Sequence, residues 1–113
     1  MILLAAAVLI SPPGMIDDSD ARRIHGFDPS PDCAEWTEAR RRNGPRAGAL
    51  EAWVSGVLAG YNLYHPNGHR DILRGTDLAG AYAWIDNRCL ADPDEALPDI
   101  TIDLIAEFQI RTR

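Results

Sequence analysis

The sequence predicts an all-α fold, a compact four-helix domain with one disulfide. Three observations predict it. Apolar residues recur at helical spacing through the middle of the chain. The one stretch that alternates like a strand, residues 99–104, has no second strand to pair with. Two cysteines, Cys33 and Cys89, bracket the periodic region. With 113 residues, 46% hydrophobic and 25% charged, the chain suits one globular domain that hides roughly two-thirds of its unfolded surface.

Residues 1–15 read as an apolar leader. Met1 to Ile10 is an unbroken apolar run followed by Ser11-Pro12-Pro13-Gly14, too short to cross the roughly 30 Å hydrocarbon core. It is similar to the h-region of a secretion signal, although no positive n-region precedes it and no Ala-x-Ala site follows; a buried N-terminal helix is the alternative. Residues 16–32, acidic and turn-rich, read as a flexible lead-in. The helical domain is expected over 33–111.

Ser30 as N-cap and Pro31 at the first helical position open a short first helix, with Cys33, Trp36 and Ala39 on one face, stopped by Asn43-Gly44-Pro45. From Ala47 to Tyr64, Leu50, Trp53, Val54, Val57, Leu58 and Tyr61 trace one helix face. Ala52, Gly56, Ala59 and Gly60 beside that stripe predict close approach of another helix. Residues 62–76 read as a loop with a short turn at Asp71-Ile72-Leu73. Thr76 then caps a third helix buried through Leu78, Ala81, Tyr82, Ile85 and Cys89, with Trp84 widening the arc. Asp92-Pro93-Asp94-Glu95 resembles a capping box, but Pro98 lies too deep for an unbroken helix. One turn ending near Leu97 is expected there, then a kinked or restarted helix from Pro98 to about Gln109, burying Leu97, Ile100, Leu104, Ile105 and Phe108.

Composition excludes several chemistries. All 11 basic residues are arginine, which removes Schiff bases and P-loop phosphate cradles. The net charge of -6 repels nucleic acid. Arg40-Arg41-Arg42 with Arg46 is expected to be a solvated helix end complementing the dipole, rather than a phosphate patch. The cysteines form no CxxC, so no zinc ribbon is available. If the chain is exported, a Cys33–Cys89 disulfide follows from the oxidising compartment and closes a loop worth roughly 4 kcal/mol on the loop-entropy model.

No nucleophile-elbow, metalloprotease or dinucleotide motif occurs. Ser55 sits inside a helix, where a hydroxyl bonds back to its own backbone. His65 and His69 are four apart, but Pro66-Asn67-Gly68 prevents the helix that would align them. With Asp71 they are expected to be solvated loop residues rather than metal ligands. No cofactor, catalytic residue or metal is expected. Two surfaces suit a protein partner. One is the apolar stripe around Trp53, Val57 and Tyr61. The other is the acidic 92–107 face, with Asp92, Asp94, Glu95, Asp99 and Asp103. With every carboxylate protonated the formal charge moves from -6 to +14, carried by 11 arginines and three histidines, so the fold should loosen at very low pH.

Cys33-x-x-Trp36, Trp53-Val-Ser-Gly-Val-Leu-Ala-Gly-Tyr-Asn62, Asp71-Ile-Leu and Trp84-Ile-Asp-Asn-Arg-Cys89-x-x-x-Pro93 together resemble a group of small exported proteobacterial helical proteins. Their layout is similar to HdeA-type periplasmic acid-stress chaperones and, more loosely, to Tai-type immunity proteins. The resemblance covers about residues 33 to 110. It implies a chaperone that loosens at low pH and offers apolar helix faces to unfolding clients. The chain departs from that layout in having no lysine, a longer inter-cysteine segment and a Trp-rich second helix; only Cys33 and Cys89 carry over.

The expected function is therefore a non-enzymatic periplasmic binding protein, with the HdeA-like chaperone as the first reading. The alternative is an immunity or inhibitor protein that holds a cationic toxin on the acidic face. More distant is an enzyme using the His65/His69 loop.

Overall fold

In the computed structural model, which describes residues 26, 27, 29–65 and 71–111, four helices pack into one compact globule. The predicted apolar leader and most of the lead-in lie outside the described residues. Asp32 opens α1 (Cys33–Arg42), its carboxylate accepting from the Glu35 N–H at 2.8 Å. The cap is thus two residues later than the expected Ser30. The reason is that Pro31 is already engaged elsewhere: its carbonyl accepts from the Leu97 N–H. Asn43 ends α1 in the left-handed conformation (φ 52°), and Pro45 starts α2 (Pro45–Tyr64) in the same turn.

Leu50, Val54 and Leu58 of α2 are fully buried, while Trp53, Val57 and Tyr61 are half-buried at the edge of that face. Among the described residues, no helix approaches the small residues of α2 in the way expected. Ala52, Gly56 and Ala59 are exposed, and a Cβ placed on Gly56 or Gly60 would meet nothing within 4 Å among the described residues. The core-facing leucines and valine set the helix rotation, and that turns the small residues to the outside.

After the turn at 71–76, Asp77, not Thr76, caps α3 (Leu78–Ala91), accepting from the Gly80 N–H at 2.8 Å. Thr76 is otherwise engaged, its N–H closing the turn onto the Leu73 carbonyl. Leu78, expected in the stripe, is on the exposed side; Ala81, Ile85 and Cys89 are buried.

Residues 92–95 form a turn, with the Glu95 N–H donating to the Asp92 carbonyl, and α4 (Leu97–Arg111) begins only after it. Pro98 is therefore the second helical residue, where its missing N–H costs no hydrogen bond and introduces no kink. The strand-like alternation at 99–104 is helical throughout, with Ile100, Thr101 and Leu104 buried. Among the described residues there is no strand, only an isolated antiparallel bridge between Asp32 and Ala96.

That bridge belongs to a larger contact. The Cys33 and Ala34 N–H groups, first-turn donors with no partner inside their own helix, donate to the Glu95 and Pro93 carbonyls at 2.8 and 3.0 Å. The acidic turn read as the start of a helix instead caps the start of another.

Candidate functional site

The disulfide joins Cys33 at the start of α1 to Cys89 near the end of α3, with Cα atoms 4.7 Å apart and both sulfurs in the core. Trp36, one turn along α1, is completely buried, and its indole N–H donates to Asp86 of α3 at 2.8 Å. A buried indole is stable only with such an acceptor. One turn further, Arg40 lies against the Trp36 and Tyr82 rings at 5.7 and 5.6 Å. It donates twice to Asp86, at 3.0 and 2.7 Å, and once to Glu51 of α2 at 3.0 Å. These bonds, those to Asp86 foremost, raise the guanidinium pKa above its ordinary value. The Tyr82 hydroxyl completes the junction by donating to the Glu51 carbonyl at 3.1 Å. Burial, then the Glu51 charge, pushes that phenol up.

Sequence reasoning missed this junction. The signal was present: Arg40 follows Trp36 by four, and Asp86 follows Tyr82 by four and precedes Cys89 by three. Once the cysteines align α1 with α3, the two charges face each other. The rest of the arginine run is paired as well. Arg41 and Arg42 bind Glu38 at 2.7 Å each, and Arg46 reaches Glu35 at 3.4 Å and stands over Phe27. Glu38 is thereby held down to about 2. Beside these pairs a cleft of about 670 Å³ opens over Ala34, Ala39 and Pro45.

The α2 stripe is occupied by the protein itself. Trp53 packs against the core and is backed by Gly26, where a Cβ would collide with the indole ring. With Phe27, Pro31 and Pro98 it lines a narrow crevice. Gly26 and Phe27, inside the segment expected as lead-in, are thus part of the packed unit. Tyr61 stacks on His65 at 4.5 Å, and Gln109 of α4 donates to its hydroxyl. Val57 is half-buried between them in sequence. His69 lies outside the described residues, so the expected pairing of the two histidines falls outside what the structure describes.

The acidic face divides into two. Asp92 and Asp103 both approach Arg88, at 3.6 and 3.0 Å, and Glu107 pairs with Arg111. Asp94, Glu95 and Asp99 have no ion-pair partner among the described residues. Among the described residues no helix is long and apolar enough to cross a membrane. Comparison with known protein families, with curated proteins and with solved structures finds no match to the chain.

Proposed function

We propose that the protein is an exported, disulfide-stapled binding protein that acts as an HdeA-like acid-stress chaperone, with α2 as its releasable part. The observation that carries this reading is the unequal attachment of the helices. A covalent bond joins α1 to α3. Helix α2 is held to that pair by apolar contact, by the Arg40–Glu51 and Arg46–Glu35 ion pairs and by the Tyr82 hydroxyl. A disulfide with both sulfurs buried suits an oxidising compartment.

Acid acts on the weaker attachment. As carboxylates protonate, the whole chain approaches +14, and self-repulsion works against α2, which no covalent cross-link holds to the other helices. Release of α2 then uncovers Leu50, Val54 and Leu58 for a client, while the disulfide preserves a scaffold to refold on. The test is suppression of client aggregation at pH 2–3, with amide exchange followed in parallel. Suppression there but not at pH 7, with α2 amides exchanging before those of α1 and α3, is the expected result. A fold unchanged at pH 2–3, or no suppression, removes the reading.

A second reading, an immunity or inhibitor protein, rests on Asp94, Glu95 and Asp99 around the turn that leads into α4, which have no ion-pair partner among the described residues. A cationic protein would dock there, and an effector gene beside this one with salt-sensitive binding lost in Asp94→Asn/Asp99→Asn would favour it.

A further inference from the structure

The outer side of α4 carries an apolar stripe that the fold leaves uncovered. Leu97, Ile100, Leu104 and Phe108 turn one side of the helix into the core. Ile102, Ala106 and Ile110, spaced four apart, follow one another along the opposite side. Ile102 is 49% and Ile110 61% exposed, and Ala106 between them is exposed as well. Burying two such aliphatic side chains is favourable wherever a matching surface exists.

The stripe is symmetric about its middle. Ile102 stands four residues before Ala106, and Ile110 four after it. Asp99 stands seven before it, exposed and with no ion-pair partner among the described residues. Arg113, outside the described residues, stands seven after it in the sequence. The carboxylates beside the stripe are matched within the chain, Asp103 by Arg88 at 3.0 Å and Glu107 by Arg111 at 3.2 Å.

We propose that this face is the interface of a homodimer, in which α4 crosses α4 of a second copy antiparallel, with Ala106 at the two-fold axis. A two-fold rotation about that residue reverses the order of positions, so Ile102 of each copy meets Ile110 of the other, and Asp99 of each comes opposite the cationic Arg113 of the other. This reversal is what selects a second copy as the occupant: apolar meets apolar and acid meets base, twice over. A parallel pairing would set Asp99 against Asp99. Alanine at the crossing lets the helix axes approach to about 8 Å. The contact is one helix wide, below the roughly 1,600 Å² of a standard interface, so monomer and dimer exchange.

Sedimentation of the full chain at pH 7 tests the interface apart from any chaperone activity, in about 0.15 M salt, which screens the charge of each copy beyond about 8 Å. A monomer–dimer equilibrium is expected, abolished by Ile102→Glu or Ile110→Glu and unchanged by Leu90→Glu, which alters an apolar side chain exposed on α3 instead. Asp99→Arg should weaken association roughly tenfold or more, and Arg113→Asp in the same chain should restore it. Under mild oxidation Ala106→Cys should give a covalent dimer, because the new thiols meet at the axis and the native cysteines are already paired. Asp99→Cys should not, because the two copies of that residue lie about 20 Å apart along the crossing. A monomer up to about 1 mM protein, a dimer that survives Ile102→Glu or is lost in Leu90→Glu, equal cross-linking of Asp99→Cys and Ala106→Cys, or no restoration by Arg113→Asp would overturn the proposal.

Discussion

Arg40 meets Asp86 with two parallel hydrogen bonds, 3.0 and 2.7 Å long, across the α1–α3 interface. The same carboxylate oxygen that takes the Arg40 Nε also takes the Trp36 indole N–H. One acidic group therefore satisfies a buried donor and a half-buried cation together. Asp86→Asn keeps an acceptor for the indole but removes the charge. A loss of about 1–2 kcal/mol is expected, since the pair is about a third exposed. Arg40→Lys should lose a comparable amount, because an ammonium cannot make the paired bonds. Urea midpoints at constant slope are the measurement; no shift in either variant would show the junction to be energetically idle.

The disulfide spans 56 residues of sequence and both sulfurs are in the core. Replacing both cysteines with alanine should cost about 2–5 kcal/mol. Native protein should not react with a thiol reagent, because no cysteine is free. Full thiol reactivity in the folded state would contradict both the bond and the export reading built on it.

Gly56 and Gly60 offer stabilisation without repacking. Each lies within α2, with open space among the described residues where a Cβ would go. Alanine at either position should raise stability by about 0.4–1 kcal/mol by restricting the unfolded chain. Thermal midpoints should rise for each and add in the double variant; a fall would mean that another surface closes over this side of α2.

Glu38 titrates far below an ordinary carboxylate, at about 2 rather than 4.5, because Arg41 and then Arg42 hydrogen-bond its charged form. A carboxyl whose folded pKa is depressed contributes stability above its unfolded value and loses it as pH falls through the folded one. Its contribution should therefore fade between about pH 4.5 and 2. Asp71 is shifted in the same direction by the Leu73 N–H and Asn62. Side-chain carboxyl shifts followed by NMR from pH 6 to 1.5 should show Glu38 among the last to protonate; a midpoint above 4 would mean that the Arg41 and Arg42 contacts do not persist in solution.

Helical periodicity made α2 and α3 legible, because a half-buried helix must repeat its apolar residues at the pitch of the backbone. Residue types also marked the α1–α2 corner: Asn43 can adopt the left-handed conformation, and Pro45 can only begin a helix there. What the sequence hid was which local signal wins when two compete. Asp92-Pro93-Asp94-Glu95 has the composition of a helix start. However, the amides of Cys33 and Ala34 need acceptors, and the carbonyls of the same turn supply them. The rotation of α2 was similarly ambiguous. Its apolar arc and its small residues adjoin, and only the packing of Leu50, Val54 and Leu58 decides which faces inward. At the acidic face, composition counted six anions between Leu90 and Gln109, while Arg88 and Arg111, just outside that window, pair with three of them.

The bonds from Cys33 and Ala34 to Glu95 and Pro93 also tie the opening of the first helix to the approach of the last. The first two amides of α1 find their acceptors in the turn before α4, so a substitution that reshapes that turn reaches a helix about sixty residues earlier in the chain.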